Sequence, residues 1–151
     1  MIAPLMANVW RGEDPLVELR AGRRSPPVPK KILIVDAYPH SLEGLKHSLA
    51  STGGRVDTAA DSWEAIKKGK EGGFEVAIID LDLPPLPGLG LNGWDLVRIL
   101  RGLNPVTSII VVSADGSAEV RARAAELRVS KFLEKPIDLA ELKELVRRVG
   151  A

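Results

Sequence analysis

Apolar residues form three continuous runs along the chain, at residues 32–35, 76–79 and 109–112. None of these runs alternates with polar positions, which is typical of strands covered on both faces, as in a parallel sheet. Arg55–Ala59 and residues 130–134 are weaker candidates for two further strands. The pattern therefore predicts five strands, three of them buried on both faces.

The segments between these strands have apolar residues three and four positions apart, which is the spacing of amphipathic helices. Pro39 can open the first helix. Asp61 and Asp138 are placed to cap the second and the last helix, with Glu64 and Glu141 three positions on as capping-box partners. The inward-facing residues that this pattern predicts are Leu42, Leu45, Leu49, Leu96, Leu100, Leu103, Val120, Ala124, Leu127, Leu139, Leu142, Val146 and Val149. Strand and helix alternate five times, which predicts the α/β class: a doubly wound parallel sheet with helices on both faces.

The composition excludes several classes of function. The chain of 151 residues contains no cysteine, which rules out disulfides, thiolate catalysis and cysteine-ligated zinc. Its 21 basic and 20 acidic residues leave a net charge of +1, so no general attraction to nucleic acid or to an anionic membrane is expected. No apolar run reaches the roughly 18 residues of a membrane span, and residues 1–10 lack the features of a secretory signal. We therefore expect no membrane partner and a cytoplasmic location.

The character of the chain changes at about residue 30. Residues 1–29 are rich in proline and end in an arginine- and proline-containing stretch, residues 23–29, that is typical of an extended linker. We expect residues 1–29 to form a mobile N-terminal tail or linker, and residues 30–151 to form the folded domain.

Polar residues follow the predicted strands at the points where the strands end. Asp36 follows the first strand, Asp80 the third, Ser113 the fourth and Lys135 the fifth. Because open α/β sheets bind ligands at the carboxyl ends of their strands, these four side chains should meet at one edge. The set suits phosphoryl chemistry: a carboxylate can attack phosphorus, carboxylates can hold a divalent cation, and a hydroxyl and an ammonium can contact the remaining oxygens.

The residues around these positions carry a specific resemblance. The motifs, each at the end of the expected strand, are Ile-Val-Asp36, Asp80-Leu-Asp-Leu-Pro84, Val-Val-Ser113-Ala114 and Phe132-Leu-Glu-Lys135-Pro136. With these motifs in this order, residues 31–149 resemble a receiver domain of the two-component response regulators. The resemblance implies a flavodoxin-like sheet of five strands in the order 2-1-3-4-5.

The resemblance also implies a role for each site residue. Asp80 would be the phosphoacceptor, Ser113 the switch hydroxyl that contacts the phosphoryl group, and Lys135 the characteristic lysine of the family. Phe132 would be the switch aromatic, whose rotamer follows Ser113. Pro136 would follow a cis peptide bond.

The implied cofactor is Mg²⁺, held by Asp36 largely through water, by Asp80 and by the backbone carbonyl of Asp82. The family normally has two adjacent acidic residues after the first strand, and the second is usually a direct metal ligand. Here the second residue is Ala37, which has no side-chain oxygen. We therefore expect magnesium binding that is retained but weakened, with the Asp82 carboxylate able to compensate if it points inward.

The loop at residues 84–93 is a second departure, because it is longer than the corresponding turn of the family and rich in proline and glycine. It is either a tolerated surface insertion or a segment that partly covers Asp80 or contacts a partner.

Two further motifs point to other functions but lack the required context. Gly88-Leu-Gly90-Leu-Asn-Gly93 matches the dinucleotide fingerprint, yet residues 81–87 separate it from the preceding strand. Asp80-Leu-Asp82 is similar to the nucleophile pair of the haloacid dehalogenase phosphatases. That pair normally follows the first strand and is accompanied by a later acidic cluster, which is missing here.

We therefore predict a receiver that accepts a phosphoryl group on Asp80 from a sensor histidine kinase or a phosphotransfer protein. We expect it not to be an enzyme, except that it catalyses its own aspartyl phosphorylation. The alternative, favoured by Ala37 and by the long loop, is a pseudo-receiver that acts as a phosphorylation-independent protein-interaction module. The resemblance places an unknown downstream protein at the face formed by the fourth helix, fifth strand and fifth helix, and implies a monomer or a phosphorylation-linked dimer. Since no helix-turn-helix follows the receiver in this sequence, we expect no direct contact with nucleic acid.

Overall fold

Five β-strands and five α-helices alternate along the chain in a computed structural model that describes residues 30–51 and 53–149. The strands are β1 (Lys31–Val35), β2 (Arg55–Ala59), β3 (Val76–Asp80), β4 (Ser108–Ser113) and β5 (Lys131–Glu134). The helices are α1 (Pro39–Ala50), α2 (Ser62–Glu71), α3 (Gly93–Leu103), α4 (Ala118–Glu126) and α5 (Leu139–Arg148). Across the described ranges, no helix has both the length and the apolar character needed to cross a bilayer. The predicted tail at residues 1–29 lies outside the described residues and stays a prediction.

The strands form one parallel sheet in the order β2-β1-β3-β4-β5, which confirms the predicted fold. The order reverses direction at β1, since the chain first adds β2 on one side of β1 and then β3 to β5 on the other. Strands β3 and β4 each extend one residue beyond the apolar run and end with Asp80 and Ser113. Strand β5 ends at Glu134, one residue before Lys135. All of these strand ends lie at the same edge of the sheet.

Alternate residues of the inner strands face two separate hydrophobic layers. One layer packs against α2, α3 and α4, and its buried strand residues are Leu33, Val35, Ala59, Ala77, Ile79, Ile109 and Val111. The other packs against α1 and α5, and its buried strand residues are Ile32, Ile34, Val76, Ile78, Ile110, Val112 and Leu133. Burying one such aliphatic side chain is worth about 1.5–3 kcal/mol, so the two layers stabilise the sheet that carries the strand ends.

Side-chain caps set the points where the helices begin. Asp61 accepts a hydrogen bond from the backbone N–H of Glu64, as predicted, while the Glu64 carboxylate accepts from Ala60 N. The carboxylate of Asp138 accepts from the first N–H groups of α5, which confirms the predicted cap. Helix α3 begins with a reciprocal box between Asn92 and Asp95 that the sequence analysis did not identify. These caps satisfy N–H groups that would otherwise lack partners at the helix ends.

Two residues predicted to face inward are exposed instead. Leu103 is 39% exposed and Leu139 is 43% exposed. Leu103 is the last residue of α3 and Leu139 the first of α5, so both lie at the end of a helix. The helical period identifies the apolar face of a helix but does not reveal which of its positions are covered by neighbouring elements.

The long loop between β3 and α3 lies on the surface. Residues 84, 85 and 87–90 are exposed, while Leu83 anchors the start of the loop in the core at 7% exposure. Gly88 and Gly90 have φ values of 85° and 61°, a backbone conformation that side chains disfavour. This arrangement favours the interpretation as a surface insertion.

Candidate functional site

Asp80 and Lys135 form an ion pair at the carboxyl edge of the sheet. The Asp80 side chain is 4% exposed, and the Lys135 Nζ atom lies 2.8 Å from its Oδ2 atom. The other oxygen, Oδ1, accepts a hydrogen bond of 2.8 Å from the backbone N–H of Asp82. Asp80 ends the middle strand of the sheet, and Lys135 follows an edge strand. Strand β4 lies between these two strands, so the ion pair reaches across the end of β4.

Three hydrogen-bond donors from two further segments meet around the Asp82 carboxylate. The Ser113 hydroxyl donates to Asp82 Oδ1 at 2.9 Å, and the backbone N–H of Ala114 donates to Oδ2 at 2.8 Å. The ammonium of Lys135 lies 3.3 Å from the same Oδ2 atom. Ser113 itself is 2% exposed, and its oxygen accepts from the backbone N–H of Asp115 at 3.1 Å. The side chain of Asp82 therefore points toward Ser113 and Lys135.

These contacts shift two titrations. Burial raises the pKa of the Asp82 carboxyl, but the bonds from Ala114, Ser113 and Lys135 outweigh burial and hold the pKa below its ordinary value. For Lys135, burial lowers the pKa, while the hydrogen bonds and charges of Asp80 and Asp82 outweigh it and raise the pKa above its ordinary value. Lys135 is therefore a fixed positive charge between two carboxylates at neutral pH.

Asp36 is a second buried carboxylate beside this group. It is 4% exposed, accepts hydrogen bonds from Tyr38 N at 2.8 Å and from the Ser41 hydroxyl at 2.6 Å, and forms no ion pair with a described residue. A small cavity is lined jointly by Asp36, Asp80, Lys135 and apolar side chains of the α1–α5 layer. The structure thus brings all four predicted strand-end residues to one edge.

The charges around this cavity suit a divalent cation. Two buried carboxylates, those of Asp36 and Asp80, line the cavity together with the single ammonium of Lys135, and a buried carboxylate without a counter-charge is costly. Carboxylate and carbonyl oxygens are the ligands that magnesium prefers. Within residues 30–51 and 53–149, however, no three acidic or histidine side chains are grouped closely enough to hold a metal by themselves. Because Ala37 has no side-chain oxygen, the carboxylates of Asp36 and Asp80 are the side-chain ligands available at the cavity. They fit magnesium if water supplies most of its other ligands.

The two remaining predicted site residues are Pro136 and Phe132. The Lys135–Pro136 peptide bond is cis. Phe132 is half-buried against the α2–α4 layer, and the guanidinium of Arg121 lies 4.8 Å from the centre of its ring. Arg121 also pairs with Glu134 at 3.4 Å, so the first turn of α4 is attached to β5.

Sequence reasoning did not identify several contacts. It left the direction of the Asp82 carboxylate open and did not consider the N–H of Ala114 as a donor. It also did not anticipate that Tyr38 and Ser41 hold Asp36. The hydrogen bond from Tyr38 N had a detectable signal, because an aspartate commonly accepts a bond from the backbone two residues on.

Comparisons with known proteins agree with the fold. The family model of the response regulator receiver domain matches residues 32–147. The chain therefore belongs to the response regulator receiver family, as the motifs predicted. This family generally acts in signalling rather than as enzymes.

Individual relatives support the same assignment. The chain is 34% identical over 117 residues to the transcriptional regulatory protein CusR of Escherichia coli K12, a match that covers 78% of this chain and 49% of CusR. The structure of Vibrio cholerae chemotaxis protein CheY4 is similar at a TM-score of 0.72 and 27% identity, covering 81% of this chain and 99% of CheY4. A Burkholderia pseudomallei response regulator with a phosphorylated aspartic acid and a calcium ion is similar at a TM-score of 0.67 and 25% identity, covering 75% of this chain and 64% of that one.

The chain spans about half the length of the first curated relatives it matches, CusR and the Mycobacterium leprae protein PrrA. Both relatives are named as transcriptional regulatory proteins. These names give no support to the prediction that nucleic acid is not contacted, and that prediction stays one.

Proposed function

We propose that this receiver domain accepts a phosphoryl group on Asp80 from the phosphohistidine of a sensor histidine kinase or a phosphotransfer protein. The observation that carries the proposal is the Lys135–Asp80 ion pair of 2.8 Å at the carboxyl edge of the sheet, with the Ser113 hydroxyl and the Ala114 N–H beside it. A carboxylate with an ammonium, a hydroxyl and a backbone donor nearby is the arrangement that phosphoryl transfer needs.

The reaction uses these groups in distinct roles. A carboxylate oxygen of Asp80 attacks the phosphorus as the P–N bond to the donor histidine breaks. The electron pair of that bond stays on the ring nitrogen, which leaves as neutral imidazole when the other nitrogen carries a proton. Lys135, Ser113 and the Ala114 N–H donate to the phosphoryl oxygens. Asp36, Asp80 and the Asp82 backbone carbonyl would hold magnesium, which would supply positive charge to neutralise those oxygens.

The same contacts link the reaction to a surface. Ser113 ends β4, next to β5, and Phe132 in β5 lies under the guanidinium of Arg121 in α4. A phosphoryl group that draws the Ser113 hydroxyl inward changes the packing available to Phe132, and a downstream protein reads the α4–β5–α5 face. The phosphorylated aspartic acid of the similar Burkholderia pseudomallei structure supports aspartate as the acceptor in this fold.

Phosphoryl uptake tests the proposal directly. The full chain is incubated with magnesium and either acetyl phosphate or phosphoramidate, and intact-mass spectrometry is expected to show a gain of about 80 Da. Asp80→Asn should abolish the gain. Asp57→Asn, which removes a carboxylate from β2 at the far side of the sheet, should leave it unchanged. No uptake from any donor by the folded protein contradicts the proposal.

One second candidate has its own observation. The donors expected to hold a phosphoryl group already bind the Asp82 carboxylate, and Ala37 supplies no metal ligand. Both features favour a pseudo-receiver that binds a protein partner without phosphorylation. In that case Asp80→Asn leaves partner binding unchanged, while the receiver proposal expects the variant to lose the response to acetyl phosphate.

A further inference from the structure

The carboxylate of Asp82 occupies an anion-binding position made by three parts of the fold. Ser113 at the end of β4 binds its Oδ1 atom, whereas the N–H of Ala114 and the ammonium of Lys135 both contact its Oδ2 atom. These partners lie 31, 32 and 53 positions away in the chain, so the contact is tertiary and not a local turn. An anion is thus already bound beside Asp80.

These donors are the same groups that a phosphoryl group on Asp80 requires. A hydroxyl and a backbone N–H each have one hydrogen to donate. The Ser113 oxygen accepts a hydrogen bond from Asp115 N, so the hydrogen of the Ser113 hydroxyl is directed toward Asp82. A phosphoryl group and the Asp82 carboxylate therefore cannot both bind Ser113 and Ala114. The two groups are also both negatively charged and would repel each other within one site.

We propose that the Asp82 carboxylate is an internal competitor that occupies the phosphoryl-binding donors in the unphosphorylated domain, so that an incoming phosphoryl group must displace it. The inference rests on the proposed function and assigns a regulatory residue within the same site. Displacement is feasible because the Asp82 side chain is 35% exposed, in contrast to 4% for Asp80, and can turn into solvent. The apparent affinity of the site for a phosphoryl group equals its intrinsic affinity multiplied by the fraction of molecules in which the donors are free, so the competing contact lowers it.

A second consequence concerns the switch. In the unphosphorylated domain the Ser113 hydroxyl is already bonded to an anion at 2.9 Å, as it is expected to be after phosphorylation. Phosphorylation then exchanges one anion for another at Ser113, and the change that reaches Phe132 is smaller than in a site whose hydroxyl is free beforehand. Removing the Asp82 carboxylate should enlarge the response of the α4–β5–α5 face.

Beryllofluoride, which binds to the acceptor aspartate in place of a phosphoryl group, provides the test. Affinity is measured for the full chain at fixed saturating Mg²⁺ by isothermal titration calorimetry. Asp82→Ala should bind beryllofluoride about tenfold more tightly than the wild type, because it frees two donors and removes one negative charge. Asp82→Asn, which keeps the size of the side chain but not the charge, serves if the alanine variant does not fold. The affinity of Asp82→Asn for beryllofluoride should lie between those of the wild type and Asp82→Ala.

The matched control is Glu119→Gln. Glu119 lies in the first turn of α4, the helix that follows β4, whereas Ser113, Ala114 and Lys135 bond to Asp82 and Asp80. The control therefore removes one negative charge near the edge without freeing the donors, and its affinity should change less than about twofold.

The outcomes separate this inference from the proposed function. If the wild type binds beryllofluoride and Asp82→Ala binds it with equal or lower affinity, Asp82 is not a competitor and the proposed function stands. A lower affinity would in addition indicate that Asp82 is a metal ligand. If only the Asp82 variants bind, the competitor is supported and the native chain is a pseudo-receiver. If neither binds, both proposals fail.

A measurement without metal or phosphoryl donor checks the contact itself. In the metal-free protein, the amide proton of Ala114 is followed by NMR. A charge-assisted bond to Asp82 holds this resonance downfield, so Asp82→Ala should move it upfield while Glu119→Gln leaves it in place. An Ala114 resonance that does not respond to Asp82→Ala overturns the inference, whatever beryllofluoride does.

Discussion

The ammonium of Lys135 lies 2.8 Å from Oδ2 of Asp80, although 55 positions separate the two residues in the chain. Lys135 follows edge strand β5, and Asp80 ends the middle strand β3. The contact therefore depends on the order of the strands in the sheet and on their shared direction. Its energy and its chemistry can both be measured.

Lys135 and Asp80 should be strongly coupled in a double-mutant cycle of Lys135→Met and Asp80→Asn. Removing the lysine leaves a buried carboxylate without its counter-charge, so we expect a coupling energy of about 1–3 kcal/mol in urea unfolding. The exposed pair Glu144–Arg148 on α5, at 3.0 Å, should give at most about 0.5 kcal/mol in a parallel cycle. Equal couplings for the two pairs would mean that burial does not strengthen the Lys135 contact.

Ala37→Asp should tighten magnesium binding. The substitution adds one hard oxygen donor next to Asp36, so we expect an affinity about tenfold higher in isothermal titration calorimetry. Ala37→Ser, which adds a neutral hydroxyl, should change the affinity far less. Unchanged affinity in Ala37→Asp would mean that the metal is held by a different set of residues.

The stability that Asp82 contributes should depend on pH. Its contacts hold the pKa of the carboxyl below the ordinary value, so the contribution is present above the unfolded value of about 4 and is lost as the pH falls through the depressed pKa. The difference in melting temperature between the wild type and Asp82→Asn should be largest near neutral pH and should disappear under more acidic conditions. A difference that is constant across this range would contradict the assignment.

Gly93 should be sensitive to substitution because of the backbone it touches. A Cβ atom at this position would lie 2.8 Å from both Cα and O of Leu81, the residue directly after Asp80. We expect Gly93→Ala to destabilise the fold by about 1–3 kcal/mol, since backbone cannot move aside as a flexible side chain can. Gly102→Ala in the same helix meets open space and should instead stabilise by about 0.5–1 kcal/mol. Urea denaturation compares the two, and destabilisation of similar size in both would point to helix α3 rather than to the Leu81 contact.

Thr107 should be needed for its hydroxyl more than for its methyl group. It is 4% exposed, and its Oγ1 atom donates to the carbonyl of Phe74 at 2.7 Å. Thr107→Val removes this donor from a buried carbonyl and should cost about 1–3 kcal/mol in thermal or urea unfolding. Thr107→Ser keeps the donor and should cost about 1 kcal/mol or less. The reverse order would show that packing of the methyl group dominates.

The sequence predicted the elements well because their signals are local. Apolar runs, Pro39 and cap residues identified the five strands of the described residues and the beginnings of α1, α2 and α5, and the motif order identified the family. The errors at Leu103 and Leu139, both at helix ends, arose because a helical period carries no information on which positions neighbouring elements cover. The box of Asn92 and Asp95 has a sequence signal, but the glycines around it are equally typical of a loop.

The sequence alone also determined which chemical groups reach the carboxyl edge, because in a parallel sheet the residue at the end of each strand must lie there. It could not determine how those groups pair. Asp82 follows Asp80 closely enough to serve as a metal ligand or as a partner of Ser113, and both are compatible with the same motif. Only the tertiary structure, which brings β4 and the end of β5 to the Asp82 carboxylate, decided between them, because hydrogen bonds depend on distances between segments that are far apart in the chain.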